Sequence, residues 1–90
     1  MTEDRDEERG ERMRRLRLTV GLSQLAFAKH CGLGSRNQWT NIERGFPITA
    51  QVALKLKRRF PGLSLDWIYF GTCDGLTVDM ARRLGELGKR

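Results

Sequence analysis

Two short amphipathic segments joined by a glycine-containing turn, within residues 24–45, constrain the fold more than any other part of the chain. Ser23, directly before the first segment, has the side chain of a helix N-cap. That segment carries a narrow apolar stripe at helical spacing, made of Phe27, Ala28 and Cys31. Gly32 and Gly34 supply the backbone freedom of a sharp turn. The pattern predicts a helix, a tight turn and a second helix.

The second segment, residues 35–44, is predicted to be a helix with two unlike sides. Ser35 and Gln38 have the spacing of a capping box at its start. One side is mostly apolar and carries Trp39, Ile42 and Glu43. The other side has polar side chains and no carboxylate, namely Arg36, Asn37, Gln38, Thr40, Asn41 and Arg44. Such a helix has one side for a protein core and one for solvent or a polar partner.

The residue types on the polar side match the edges of DNA bases. Arginine pairs with guanine, and asparagine or glutamine pairs with adenine, in the major groove. A polar side alone is explained equally well as a solvated surface, but the helix–turn–helix pattern and the basic chain favour DNA binding. The N–H groups and dipole where the first segment begins, at Ser23 and Gln24, suit a phosphate. Arg44, at the end of the second helix, is also expected to reach the DNA backbone.

Charge is distributed unevenly along these 90 residues, a length that allows one small domain. The net charge is +6, but residues 1–11 hold six acidic and two basic residues, a balance of −4. Residues 12–90 hold fifteen basic and five acidic residues, a balance of +10. This basic part suits phosphate binding through counterion release. Membrane-surface binding is the rival, but it requires a basic amphipathic helix with a broad apolar face, which the sequence lacks.

The order of residues in this region resembles the helix-turn-helix of the phage Cro/repressor (XRE-type) family. The likeness rests on the runs GLSQ, LA, CG and WTNIERG, and it extends from about Gly10 to Gly71. The chain departs from the family at Phe27, where leucine is usual, and at Trp39, where an aliphatic residue is usual. The turn interval, residues 32–42, is also one residue longer than usual.

The resemblance implies a compact, all-α, lambda-repressor-like domain of five to six helices that binds a two-fold operator as a homodimer. It implies that Gln24 approaches phosphate and supports the first base-contacting side chain, and that Arg17 forms an ion pair with Glu43. The candidate DNA-binding residues are therefore Ser23, Gln24, Ser35, Arg36, Asn37, Gln38, Thr40, Asn41 and Arg44. The expected function is transcriptional regulation, with repression as the expected outcome and with no cofactor.

The remaining sequence flanks this domain. Residues 1–9 are expected to be an acidic, partly disordered start, residues 10–71 the DNA-binding domain, and residues 72–90 a C-terminal segment that can form one extra helix. An apolar row at helical spacing runs through this segment, made of Met80, Leu84 and Leu87. The segment is interpreted as a tail, a helix packed on its own domain, or a surface at residues 76–90 that assists dimerisation or binds a protein partner. The last option supports an alternative function, an antitoxin of the same family that binds a toxin protein.

Three further expectations concern side-chain burial. Most arginines of the first predicted helix should only solvate it: Arg12, Arg14 and Arg15. The basic side chains of the fourth predicted helix can help to hold DNA, but they should chiefly confer solubility: Lys55, Lys57, Arg58 and Arg59. A fifth short helix should close the core with three apolar residues: Trp67, Ile68 and Phe70.

Other function classes lack the residues that they require. The sequence has no carboxylate pair, no nucleophile–base pair and no phosphate-binding loop, so an enzyme is not expected. Cys31, Cys73 and the single histidine, His30, do not have the spacing of a metal site. No apolar run is long enough to cross a membrane, and the charged N-terminus has no signal-peptide core. A cytoplasmic location is therefore expected.

Overall fold

The computed structural model describes residues 5–86, which form six α-helices and no β-strand. In chain order the helices are α1 (Glu7–Leu18), α2 (Gln24–His30), α3 (Arg36–Glu43), α4 (Ala50–Arg59), α5 (Leu65–Phe70) and α6 (Val78–Arg83). All six contribute to one apolar core, so the predicted compact all-α class is confirmed. Helix α1 begins before the predicted domain start at Gly10. Residues 1–4 of the predicted acidic start, and Leu87 of the predicted apolar row, lie outside the described residues.

Each helix begins behind a polar side chain that accepts a hydrogen bond from a backbone N–H three residues later. These N-caps are Asp6, Ser23, Ser35, Thr49, Ser64 and Thr77. Ser23 and Ser35 are the predicted caps of the two motif helices, with bonds of 3.1 and 3.2 Å. The Gln38 side chain accepts from the N–H of Gly34 at 3.2 Å, so it closes the turn instead of completing the predicted capping box.

Three aromatic side chains form the part of the core that backs the two motif helices. The ring centroid of Phe27 lies 4.5 Å from that of Trp39 and 5.9 Å from that of Phe60. Phe27 and Trp39 are completely buried. Helix α3 packs against α1 and α2, and α5 packs against α1 and α4. Helix α3 is therefore supported from behind by packed rings, and its other side remains open to solvent.

Two arginines of α1 bind carbonyl groups at the ends of other helices. Arg9 donates to the carbonyl of Gly45, just after α3, at 2.9 Å. Arg12 donates to the carbonyls of Trp67 and Ile68, near the end of α5, at 3.0 and 3.2 Å. The expectation that Arg12 only solvates its own helix is therefore wrong. Helix C-termini carry free carbonyls and partial negative charge, which satisfy a buried guanidinium.

Phe70 does not close the core as expected, because its side chain is 75% exposed. Trp67 and Ile68 are completely buried, in agreement with the prediction. The Arg12 side chain covers the end of α5 instead, and its Nη1 would lie 3.1 Å from a Cβ placed on Gly71. Gly71 has a φ of 77°, so the chain turns away directly after Phe70.

The C-terminal segment packs on its own domain. Met80 in α6 and Leu84, which follows the helix directly, are 2% and 1% exposed. The Glu86 carboxylate accepts hydrogen bonds from the indole of Trp67 at 2.9 Å and from Arg15 at 3.1 Å. Arg15, which was expected only to solvate α1, thus fixes the segment that follows α6. Among the three interpretations of this segment, a packed helix describes its residues up to Glu86.

Candidate nucleic-acid interface

Helix α3 buries one side and presents the other to solvent. On the buried side, Trp39 and Ile42 are 0% and 3% exposed. The opposite side forms one strip of exposed or partly exposed side chains that we call the polar face of α3, made of Arg36, Asn37, Gln38, Thr40 and Asn41. The structure therefore places these five residues, which the sequence analysis predicts to contact DNA, on one side of α3.

The Glu43 carboxylate fixes the end of α3 to α1. Arg17 Nε lies 2.6 Å from one carboxylate oxygen, and Arg17 Nη2 lies 3.3 Å from the other. The side chains of Arg17 and Glu43 are only 13% and 5% exposed. The predicted buried ion pair is confirmed. Arg17 Nη1 donates to the carbonyl of Leu22 at 2.7 Å, so the same guanidinium also holds the segment that leads into α2.

Two neutral donors, which the sequence analysis does not include, also reach the Glu43 carboxylate. Gln24 Nε2 donates to one oxygen at 3.0 Å, and the Trp39 indole donates to the other. The four-residue spacing of Trp39 and Glu43 on one helix is a usable signal for the indole contact. Gln24 is 19 residues away, and no local pattern places it beside Glu43.

The Gln24 amide joins the start of α2 to the polar face of α3. Its Oε1 accepts a hydrogen bond from the Thr40 hydroxyl at 3.0 Å, while its Nε2 is bonded to Glu43. Gln24 and Thr40 thus belong to the internal network that orients α3. Among the described residues, nothing forms a hydrogen bond with the side-chain amides of Asn37 and Asn41. The amides of Asn37 and Asn41 are therefore available to an outside partner.

Two guanidinium groups lie close to the ring of Phe46, which belongs to the loop after α3. The Cζ of Arg44 lies 5.7 Å from the centroid of Phe46, and the Cζ of Arg5 lies 5.3 Å from it. The N–H of Phe46 donates to the carbonyl of Asn41 at 3.1 Å, which pins the loop to α3. Arg44 is exposed, and the sequence analysis expects it to reach the DNA backbone. The sequence analysis assigns no role to Phe46 or Arg5.

Two basic residues of α4 hold the turn between α2 and α3. Lys55 Nζ donates to the carbonyl of Gly32 at 2.9 Å, and Arg59 Nε donates to the carbonyl of His30 at 2.7 Å. These carbonyls lie at the C-terminal end of α2, where the helix dipole favours a cation. Lys55 and Arg59 therefore have a second role, which the sequence analysis does not assign to them. They fix the longer turn from which α3 begins.

Metal ligands, cysteines and membrane-spanning helices are the other features relevant to function within residues 5–86. No group of three or more metal-ligating side chains lies together in this range. Cys31 is buried and Cys73 is exposed, and no disulfide bond joins them. Burial raises the pKa of the Cys31 thiol to about 11, so it is protonated near neutral pH and is a weak nucleophile. None of the described helices combines the length and apolar character needed to cross a membrane.

Comparisons of the chain with protein-family models, with curated proteins and with solved structures found no match. The polar face of α3, its open amides and the network around Glu43 are therefore the features from which a function is inferred.

Proposed function

We propose that this protein is a sequence-specific regulator of transcription that binds double-stranded DNA and represses by occupying promoter DNA. One observation carries the proposal: the polar face of α3 offers guanidinium and amide groups with no carboxylate, and a packed core backs it. These groups match the donors and acceptors of base edges in the major groove, which is wide enough to admit one α-helix. A helix side that served only solubility would not require this selection of groups.

The N-terminal end of α3 is the end that would enter the groove most deeply. Arg36 and Asn37 lie in its first turn and are both exposed. In helix-turn-helix proteins the first residues of the second helix contact base edges. Arg36 suits guanine and Asn37 suits adenine. Asn41, one turn later, extends the contact along the same face.

Contacts with the phosphate backbone would come from the ends of the motif. Arg44 is exposed directly after α3 and can reach a strand that borders the groove. At the start of α2, behind Ser23, the first backbone N–H groups have no partner within the helix and suit a phosphate oxygen. Such contacts position the protein on the duplex, whereas contacts with bases specify the sequence.

The network around Glu43 would make α3 suitable for base recognition. Arg17, Gln24 and Trp39 hold one carboxylate from three directions, so α3 keeps its orientation relative to α1 and α2. A binding surface that is already ordered loses less conformational entropy when it meets its partner. The side chains of Arg36 and Asn37 would then be the main groups that become ordered on binding.

The proposal includes a homodimer on a two-fold operator. Helix α3 has eight residues, so a single copy contacts only a few base pairs. Two identical helices in successive major grooves would require half-sites about 34 Å apart. Doubling the contacted sequence raises the affinity for the operator relative to random DNA.

The antitoxin alternative depended on an apolar row that is free to bind a partner. Met80 and Leu84 of this row are buried in the domain itself. No specific observation within residues 5–86 therefore favours that function over DNA binding.

Selection of bound sequences from a random pool of DNA duplexes tests the proposal. We expect one two-fold symmetric sequence, bound at least about 1,000-fold more tightly than a shuffled duplex. Asn37→Ala should reduce this preference by about 10- to 100-fold, because an amide–adenine pair is lost. Arg14→Ala, on the exposed side of α1, is the matched control and should retain the preference. Selection of no preferred sequence, or equal binding of selected and shuffled duplexes, would contradict the proposal.

A further inference from the structure

A notch lies beside the polar face of α3, between this helix and the loop that leads into α4. Its floor is apolar, since Ile42 and Val52 line it and each is only 3% exposed. Phe46 and Pro47 line it from the loop. The notch has a volume of about 230 Å³ and opens beside two side chains of the polar face, Gln38 and Asn41.

The loop wall of the notch is fixed at both ends. The N–H of Phe46 donates to the carbonyl of Asn41 at 3.1 Å, and the Tyr69 hydroxyl donates to the carbonyl of Ile48 at 2.9 Å. The ring of Phe46 also lies between 5 and 6 Å from the guanidinium carbons of Arg5 and Arg44. These contacts keep the notch open before any partner arrives. An apolar group could enter without a rearrangement of the loop.

We propose that this notch receives the C5-methyl group of a thymine in the operator. The inference rests on the proposed function and adds the class of base pair that is recognised. Asn41 borders the notch, and its amide has no hydrogen-bond partner among the described residues. An asparagine amide pairs with adenine, and thymine carries the methyl group that apolar side chains contact in the major groove.

The lining of the notch separates thymine from other groups of the DNA. No charged side chain lines it, and its floor is formed by the apolar side chains of Ile42 and Val52, so it suits a methyl group better than a charged phosphate. Cytosine presents an amine donor and no methyl group at its major-groove edge. The volume of about 230 Å³ exceeds that of a methyl group, so the neighbouring edge of the pyrimidine ring can enter with it. The half-site should therefore contain an A·T pair at or next to the position that Asn41 contacts.

Replacement of thymine by deoxyuridine tests the inference, because it removes only the methyl group. The probe is the preferred duplex from the random-pool selection, with each thymine of a half-site replaced in turn. We expect one position at which the replacement weakens binding about fourfold, and about 15-fold when both half-sites carry it, as burial of one methyl group predicts. The other thymine positions should change binding by less than about twofold.

A protein variant links that position to the notch. Phe46→Ala removes the aromatic wall, so it should bind the thymine and deoxyuridine duplexes with nearly equal affinity. Phe70→Ala is the matched control, because Phe70 is an exposed aromatic residue that does not line the notch, and it should retain the fourfold difference. Thermal unfolding of both variants by circular dichroism would verify that they fold.

Two results would overturn the inference and leave the proposed function in place. One is a preferred duplex in which no deoxyuridine replacement weakens binding. The other is a thymine effect that Phe46→Ala leaves unchanged. If the selection instead finds no preferred duplex, the proposed function itself is wrong, and the inference about thymine fails with it. The three outcomes are distinct in the same set of binding measurements.

Discussion

The indole nitrogen of Trp39 donates a hydrogen bond to the carboxylate of Glu43, one turn further along α3. Arg17 from α1 and Gln24 from α2 bind the same carboxylate. A carboxylate that is removed from water is costly unless its oxygens have donors, and here three side chains supply them. This single group therefore joins three helices, including the one that we propose to contact bases.

A second carboxylate, that of Glu86, has a similar set of partners. Glu86 accepts hydrogen bonds from the indole of Trp67 and from Arg15. Its side chain is only 7% exposed. Helix α1 thus provides an arginine to each of two nearly buried carboxylates, one at the end of α3 and one after α6. The N-terminal helix is the element that connects the proposed DNA-binding part to the C-terminal segment.

The first prediction concerns the ion pair at Glu43. Arg17→Met should lower the free energy of unfolding by about 3 kcal/mol, because it leaves a carboxylate that is 5% exposed without its cation. Urea denaturation measures this loss. Arg14→Met is the control, since Arg14 pairs with Glu11 at 3.6 Å on the surface and should cost less than about 1 kcal/mol. Equal losses in the two variants would mean that the Arg17–Glu43 pair behaves as a surface pair.

The second prediction concerns the close approach of α1 to the end of α3. A Cβ on Gly10 would lie 2.5 Å from the carbonyl oxygen of Glu43, which is part of the backbone. Gly10→Ala should therefore destabilise the protein by about 2 kcal/mol, although alanine is the better helix former. Gly34→Ala is the control, because its Cβ would meet only a side-chain atom of Gln38 at 3.8 Å. Thermal unfolding that ranks the two variants in the opposite order would rule out a tight contact at Gly10.

The sequence predicts the structural features that depend on residues close together in the chain. The caps at Ser23 and Ser35 follow from a side chain and an N–H three residues later, and the buried side of α3 follows from the helical period. The Arg17–Glu43 pair is a long-range contact: the helical period places Glu43 on the inward side of α3, but only the resemblance to a family identifies Arg17 as its partner. Periodicity alone does not indicate which helix supplies a partner.

Features determined by tertiary contacts were missed. The acceptors of Arg9 and Arg12 are backbone carbonyls 36 and 55 residues away. Every residue has a backbone carbonyl, so the sequence does not indicate which one an arginine binds. The apolar side chain of Phe70 predicts a place in the core, but in the structure the Arg12 side chain covers the end of α5 and Phe70 is exposed. The notch beside Asn41 likewise depends on the path of a loop that no residue pattern fixes.

The third prediction concerns the role of α6. Leu84→Ala should lower the free energy of unfolding by about 2–5 kcal/mol, because Leu84 is 1% exposed and its removal leaves a cavity. Val78→Ala at the start of α6, the helix that Leu84 follows directly, is the control, since Val78 is 64% exposed and should change stability by less than about 0.5 kcal/mol. Urea denaturation gives both values, and sedimentation of the folded variants gives their mass. A change of mass without a loss of stability would indicate that Leu84 serves a subunit contact.

The fourth prediction concerns the reactivity of the two cysteines. Cys73 is exposed, whereas Cys31 is buried and its pKa is raised by burial to about 11. Because the thiolate is the reactive form, a thiol reagent at pH 8 should label Cys73 within minutes and Cys31 only after unfolding. Counting labels by mass spectrometry, with Cys73→Ser as the control, separates the two sites. Rapid labelling of native Cys73→Ser protein would show that the core around Cys31 opens readily.

The last prediction separates affinity from specificity at the proposed interface. Arg44→Ala should weaken binding to all duplexes by a similar factor and should lower the dependence of log K on log[salt] by about one counterion unit, because one phosphate contact is lost. Asn41→Ala should instead cost about 1–3 kcal/mol on the preferred duplex and much less on random DNA, because an uncharged amide contributes to base recognition. Titrations of both duplexes at several salt concentrations measure both effects. If the two variants reduced specific and random binding by the same factor, with the same salt dependence, the polar face of α3 would not be the surface that reads the bases.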